Sequence, residues 1–575
     1  MDIFKKRLAW SGVLLLGLPL LSIPSAYAAK PVNLAHQKLT TLQSFLSAPA
    51  SGTEIREISR SVSKSNTLHI RVQQMYSGYK VWGADAVIHV PNGGKTQQTG
   101  NLKGVVASAN AQSTMNGTIY QSLNEDLAKS RQFILDHHQA DKAMDHAVAT
   151  YTSTLGTRAH ISGKKISRVV FVDHAHKAHW AYLVSFHADA VKAGALPAKP
   201  NYIIDAQTLQ VYAEWNNIKT IGDDQQDGWP DDQQDNQQGG QQTTLTEVDG
   251  GGFGGNKKMG KLVYDGQEGK LHYAHLLFSR DAASKSCFLQ NPDVVVKNYR
   301  NNKVLSFQCS VEDKDHANLF WDGDQDAVNE GYSPGNDALF GGNVIKSMYR
   351  DWYNVPVLTE DDGKPMQLTM VVHDPIDNAY WDGRKMTFGD GVSMFYPLTS
   401  LGVAAHEISH GFTEQHSGLA YYGHSGGMNE AFSDMAAQAA EFYAYGKNSW
   451  QIGPEIFKAK DQALRYMDKP SKDCGGKEPG SWCSIDDAEQ YYSGLDVHFS
   501  SGVFNRAFYL MGSADGWNAR KAFDVMVHAN ENYWTSTSSF NQGACGVLAA
   551  AKDLGYDQKP VKAAFDTVKV DMSDC

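Results

Sequence analysis

The run His406-Glu407-Ile408-Ser409-His410 places two imidazoles and a carboxylate within five residues. On a helix, residues four apart lie one turn above each other, so both histidines reach one ion from the same face. Glu407 then sits about 100° round, free to take a proton from water on that ion. These are Zn²⁺ ligands, and Zn²⁺ brings the ionisation of water close to neutrality. A catalytic site needs a third protein ligand and an open position; Glu430 follows His410 after 19 intervening residues. His416 is the competing ligand, standing where a third histidine falls in HExxHxxGxxH. Thr413 occupies the place of that motif's turn-making glycine, so a continuing helix carries His416 off the metal face.

Two helices are needed to bring these groups together. Pro397 to Gln415 has the composition of the first, with Ser400 as its cap. Ser425 to Tyr445, opened by glycines and apolar on one face, is the second. The chain before about Leu398 mixes strand and helix signals, and afterwards it is mainly helical.

The 575 residues correspond to about four domains at roughly 150 residues each. A net charge of -11 disfavours nucleic acid and anionic membrane surfaces as partners. Lys5, Lys6 and Arg7 precede an apolar run from Leu8 to Leu21, and Ala26-Tyr27-Ala28 ends it as a signal peptidase site, with cleavage expected after Ala28. Gly17 and Pro19 break the run, which is too short to span a bilayer. The protein is thus expected to be secreted. Its six cysteines all lie from Cys287 onward. Of 15 possible pairings, proximity favours Cys287 with Cys309, Cys474 with Cys483, and Cys545 with Cys575.

Gly222 to Gly250 contains eight acidic residues, eight glutamines and neither Lys nor Arg. Such a stretch buries too little apolar area to offset chain entropy, and reads as a cleavable linker. Upstream, Leu68 to Val90 reads as a hairpin around Ser77-Gly78. Strands follow from His179 and Asn201, with a turn at Asp205 to Thr208 and helical patterning near Leu123 to His138. No catalytic constellation is evident there.

Several stretches carry a resemblance: HEISHGFTEQHSGLAYYGHSGGMNEAFSD from His406, NAYWDG from Asn378, LRYMD from Leu464, LDVHFSSGVFNRAFYL from Leu495, and ACGV with a terminal Cys575. From about Gly254 onward the chain resembles the thermolysin family of secreted zinc metallopeptidases, and is most similar to its vibriolysin and pseudolysin branch. The resemblance implies an α+β fold with a two-lobed catalytic domain: a β-rich N-lobe (248–397), a helical C-lobe (398–575) and zinc at the cleft. It also implies α+β prosegment units, FTP-like (29–115) and PepSY-like (116–220), after a signal peptide (1–28) and before a linker (221–247). The prosegment would act as intramolecular chaperone and inhibitor, removed by self-cleavage in the linker.

Carried over residue by residue, His406, His410 and Glu430 resemble the zinc ligands and Glu407 the general base. His498 and Tyr421 resemble the oxyanion donors, with Asp496 orienting His498, while Asn429 and Asp434 resemble the groups that orient the ligand histidines. Asn378 and Ala379 resemble the edge that pairs with substrate backbone. Arg465 resembles a carbonyl-binding residue, and Leu398, Val403 and Leu464 a pocket for bulky apolar residues after the scissile bond. Gly402, Gln438 and Ser449 stand where this branch usually has acidic calcium ligands, leaving Glu441; a weak or absent Ca²⁺ site is expected. The enzyme implied is an endopeptidase, monomeric when mature. A zinc exopeptidase and a catalytically silent zinc-stabilised binding protein are the rivals, the second disfavoured by retention of Glu407, His498 and Tyr421.

Overall fold

The computed structural model describes residues 29–575 except 38, 48–49, 51, 94–99, 109–111, 129–135, 156–158, 193–194, 223–244, 310–325, 477 and 481. The expected signal peptide and most of the expected linker lie outside the described residues. Among the described residues, no helix is long and apolar enough to cross a membrane.

The upstream half is organised by one nine-stranded sheet. The hairpin expected around Ser77-Gly78 is present as Leu68–Tyr76 paired antiparallel with Tyr79–Val90. Tyr79–Val90 also pairs with Thr114–Gln121 and, in parallel, with Ile161–Val172, so the two expected prosegment units share a sheet. Each nevertheless keeps its own core. Leu34, Ile70, Ile88 and Ile119 belong to one, and Trp180, Tyr182, Phe186 and Ile204 to the other. The expected turn at Asp205 is held by the Asp205 carboxylate, which accepts from the amides of Gln207 (2.9 Å) and Thr208 (2.7 Å).

Downstream, a five-stranded mixed sheet has the order Lys219–Thr220, Ala379–Trp381, Met386–Gly389, Leu368–Asp374, Val294–Asn298. The helix Pro334–Tyr353 packs on it, and the helices from Leu401 onward form the second lobe. The expected linker differs at both ends. Ile221 is buried, and Leu245–Gly250 is a strand paired with Leu276–Asp281, because its amides complete a ladder that the acidic composition alone does not reveal.

The helix Leu401–Gln415 is buried on nearly every side, which its continuous apolar and small residues permit. Gly411 is required there: a β-carbon would come within 2.7 Å of Leu358 and 3.0 Å of Trp381. The helix Gly423–Tyr445 packs beside it. Ser400 is the residue before the first helix, as expected, but its buried hydroxyl makes no capping hydrogen bond. The three disulfides are the three favoured by proximity.

Candidate active site

His406, Glu407 and His410 project from Leu401–Gln415 and Glu430 from Gly423–Tyr445, all fully buried. The Nε2 atoms of His406 and His410 are 3.0 Å apart, and the Glu430 carboxylate lies 3.4 Å from the first and 3.3 Å from the second. Ligands about 2.0–2.1 Å from a tetrahedral zinc ion are themselves separated by about 3.3 Å. The tautomers fit as well. Asp434 Oδ1 accepts from His406 Nδ1 (2.9 Å), and Asn429 Oδ1 accepts from His410 Nδ1 (2.7 Å). The Asn429 amide nitrogen is committed to the Leu419 carbonyl at 3.0 Å, so its oxygen must face the ring. Both Nε2 atoms are left as bare lone pairs pointing at each other and at a carboxylate, which is stable only around a cation. Both Glu407 oxygens and Glu430 Oε2 also lack hydrogen-bond partners, as they would where an ion and its water are to be received. The residues fit Zn²⁺.

Burial lifts the Glu407 carboxyl to about 8, the Glu430 charge adding to this and the His406, His498 and Arg465 charges opposing it. A divalent cation held by these ligands would pull that value back toward neutrality, where a base works best. Burial works against ionisation of Asp434, yet the Arg465 charge and the His406 hydrogen bond hold it at about 2. Arg465 donates to both its oxygens, at 2.7 and 2.8 Å, and Asn505 Nδ2 donates to Oδ2 at 2.7 Å.

Residues 219–222 of the chain occupy the cleft. Lys219 and Thr220 pair antiparallel with Trp381 and Tyr380. The Ile221 amide donates to the Ala379 carbonyl (3.1 Å), and Asn378 Nδ2 donates to the Gly222 carbonyl (3.3 Å). Arg465 Nη1 donates to the Ile221 carbonyl at 2.7 Å. Ile221 joins the apolar cluster that contains Leu398 and Val403, with Leu464 packed against it. His498 Nε2 donates to the Thr220 carbonyl (2.9 Å), while its Nδ1 donates to Asp496 (2.7 Å). Both partners only accept, so both ring nitrogens carry protons and His498 is an imidazolium. Burial opposes that charge, but the Glu430 and Asp496 carboxylates raise its pKa to about 10. The Tyr421 hydroxyl donates to Glu430 and lies 3.5 Å from His498 Nε2.

His416 ends the helix, bonds the Phe412 carbonyl through Nδ1 (2.8 Å) and stacks on the Phe412 ring, away from the ligands. At the expected calcium positions, Ser449 donates to Glu441 from both amide (3.0 Å) and hydroxyl (2.9 Å), Gln438 bonds the backbone of Gln451 and Trp450, and Gly402 offers no oxygen from a side chain. Sequence reasoning missed Asn505 and the segment 219–222. Asn505 carries no signal of its own, whereas Ile218 and Ile221, apolar residues flanking Lys219-Thr220 beside an acidic linker, do.

Residues 266–414 match the thermolysin metallopeptidase catalytic domain, 417–570 the thermolysin metallopeptidase alpha-helical domain, and 56–101 the fungalysin/thermolysin propeptide motif. The chain is 42% identical over 576 residues to the zinc metalloproteinase MspA of Legionella longbeachae, covering 98% of each chain. The chain belongs to the thermolysin family. Among its thermolysin-family relatives are the hemagglutinin/proteinase of Vibrio cholerae, 37% identical over 95% of this chain and 79% of that one, and the neutral protease of Vibrio proteolyticus, 37% identical over 91% and 74%. It is a zinc metalloendopeptidase made with an intramolecular propeptide, as the resemblance implied. The His406, His410, Glu430 cluster is consistent with the zinc dependence of the thermolysin family.

Proposed function

We propose that this endopeptidase hydrolyses bonds preceding bulky apolar residues of extracellular proteins, and that its first substrate is its own Thr220–Ile221 bond. The observation that carries this reading is the segment 219–222, which lies across the site with its backbone bonded on both sides of that peptide, by strand pairing before it and by the Arg465 and Asn378 side chains after it. An exopeptidase would instead close one side of the cleft around a chain end.

Zn²⁺, held by His406, His410 and Glu430, would supply Lewis acidity and lower the pKa of water toward neutrality. Glu407 takes the proton of the attacking water and passes it to the leaving amine of Ile221. His498 donates to the Thr220 carbonyl oxygen as negative charge grows there, and Tyr421 becomes the second donor when its hydroxyl leaves Glu430. Asp496 holds His498, and Asn429 and Asp434 hold the ligand histidines. Asn378, Ala379 and Arg465 bind substrate backbone, while Leu398, Val403 and Leu464 receive the side chain after the cut.

The signal peptide reading supports secretion, with the mature monomer starting between about Thr243 and Gly251 after a second cut. Glu441, already bonded to Ser449, supports the absence of a calcium ion at that place.

The test is Glu407→Gln in the full precursor, beside a mass-spectrometric time course of the wild type. The variant is expected to bind zinc, to lose hydrolysis by at least about 100-fold, and to accumulate uncut. The earliest wild-type prosegment fragment should end at Thr220. A variant that matures alone, or a first fragment ending beyond Gly222, would overturn the reading.

A further inference from the structure

The two halves also meet far from the cleft, through polar groups. Arg71 donates to the Trp534 carbonyl (2.7 Å), the Ser536 amide and hydroxyl donate to Asp85 (2.9 and 2.6 Å), and Asn116 Nδ2 donates to the Tyr533 carbonyl. Within this interface His69 and His89, opposite each other on the prosegment hairpin, approach His528 of the helix Ala519–Asn532 and Asp553 at the end of Phe540–Asp553. His69 is 2% exposed and His528 8%.

The hydrogen bonds here fix the tautomers as they do around the catalytic ligands. Because the Asn116 nitrogen is bound to a carbonyl, Asn116 Oδ1 faces His89 Nε2 and accepts its proton at 2.6 Å. His89 Nδ1 is therefore an acceptor. It takes the proton of His69 Nδ1 at 2.8 Å. His69 Nε2 is left as a bare lone pair, buried, without a hydrogen-bond partner, and 3.7 Å from the acceptor Asp553 Oδ2. His528 Nε2 lies 3.4 Å from the same oxygen. The carboxylate is held in place by the Tyr533 hydroxyl, which donates to it at 2.7 Å. A lone pair facing a carboxylate inside a protein lacks a cation, not another hydrogen bond.

We propose that His69, His528 and Asp553 form a second Zn²⁺ site that latches the prosegment to the catalytic half. The three candidate ligand atoms lie within 4.8 Å of one another, and the 3.4 and 3.7 Å separations approach the 3.0 to 3.4 Å found among His406, His410 and Glu430. Two imidazoles and one carboxylate are a borderline-soft set that suits Zn²⁺ over Ca²⁺ or Mg²⁺, with water completing the tetrahedron. In the structure Asn532 Nδ2 donates to the His528 carbonyl (3.2 Å) and lies 3.3 Å from His528 Nδ1, so His528 carries its proton on Nε2 and donates it to Asp553. Ligation by His528 moves that proton to Nδ1 and turns the Asn532 amide to present its oxygen there, giving up the bond to the His528 carbonyl; the Ser61 hydroxyl, now 2.6 Å from Asn532 Oδ1, serves either orientation because it both donates and accepts. The ligands come from both halves of the chain. Removal of the prosegment takes His69 with it and leaves two ligands, too few for a tight site.

The experiment measures zinc per chain, after dialysis against buffered free Zn²⁺, in the Glu407→Gln precursor and in the mature enzyme. Two ions per precursor and one per mature chain are expected. In the same precursor background, His69→Ala and Asp553→Asn should each give one ion, with circular dichroism reporting that the fold is kept. The wild-type comparison of precursor with mature enzyme stands even where a variant fails to fold. One zinc per precursor overturns the site and leaves a proton between His69 and Asp553. Two ions retained by a folded His69→Ala precursor overturn it in favour of binding elsewhere on the surface.

Discussion

From Gly250 to the last residue, the chain builds one continuous apolar cluster around two buried helices and closes it with three disulfides, whereas residues 29–222 spread several smaller cores along one sheet and contain no cysteine. Buried charge is also handled differently. Downstream, His406, His410, Glu430 and Asp434 converge in full burial; upstream, the His179 and Asp173 pair (2.9 Å) lies nearer the surface, and the buried His69 and His89 lie where the halves meet. The downstream half is equipped to persist alone outside the cell. The upstream half is equipped to fold beside it, fill its cleft and be discarded.

The widest gap between the halves should appear in catalysis. His498→Ala in the mature enzyme should lower kcat by about 100 to 1,000-fold, or roughly 2.7 to 4 kcal/mol, with little change in KM, because its hydrogen bond strengthens as the oxyanion forms. Steady-state kinetics on a quenched peptide with Leu after the scissile bond, beside zinc analysis, checks this; near-normal turnover would remove His498 from the reaction.

Next comes covalent closure. The bond between Cys474 and Cys483 spans 9 residues, and loop entropy assigns it about 2.7 kcal/mol. Replacing both with Ser should lower the midpoint of the mature enzyme by about 4 °C, while reducing agent should leave the cysteine-free upstream half unaffected. Calorimetry of the precursor separates the two, and equal sensitivity of both halves would dissolve the contrast.

A smaller effect tests the segment that joins them. Ile221→Ala removes most of the side chain from the apolar pocket and should slow the first self-cut at least about tenfold without affecting cleavage of an added peptide. An unchanged rate would place the first cut elsewhere.

The smallest effect concerns pH. The Asp205 and Asp173 carboxylates outweigh burial and raise the His179 pKa, while hydrogen bonds lower those of both aspartates against burial. The raised histidine stabilises fully below its unfolded value of about 6.5, and this is lost as pH climbs through the folded one; the depressed carboxylates stabilise above about 3.9, and this is lost toward acid. This cluster should therefore contribute most to the stability of the upstream half between about pH 4 and 6.5. In the Glu407→Gln precursor the melting midpoint of that half should fall modestly from pH 6.5 to 9, and His179→Gln should flatten that slope.

What could be read from the residues was local or motif-borne. His406, Glu407 and His410 share one turn of helix, so their spacing alone implies their convergence, and each disulfide closes a short loop. Glu430 needed only the idea of a second helix. The segment 219–222 left only the faint mark of Ile218 and Ile221 beside an acidic linker, because its hydrogen bonds are to Ala379 and Asn378, over 150 positions away, and backbone pairing leaves little mark on side-chain type. The same holds for His69 and His528. Each is an ordinary histidine in its own segment, and only the docking of a strand onto a distant helix brings them together. The calcium positions lay between these extremes: the missing acids at Gly402, Gln438 and Ser449 were evident, but the Ser449 bonds that occupy Glu441 were not.

The joint between the halves is polar, and that governs the state of the enzyme once they part. Arg71, Asp85, Asn116 and Ser61 meet backbone carbonyls, amides and hydroxyls of the partner half, and apolar contacts are made where Trp215 meets Tyr422, where Ile218 packs with Ile376 and Tyr380, and where Ile221 enters the cleft. Water can take over nearly every one of those bonds when the upstream half departs. The surface uncovered there keeps its hydrogen-bonding groups satisfied by solvent, which limits the oily area through which liberated molecules would clump. The liberated protease is thereby helped to stay dispersed by the manner in which its escort was attached.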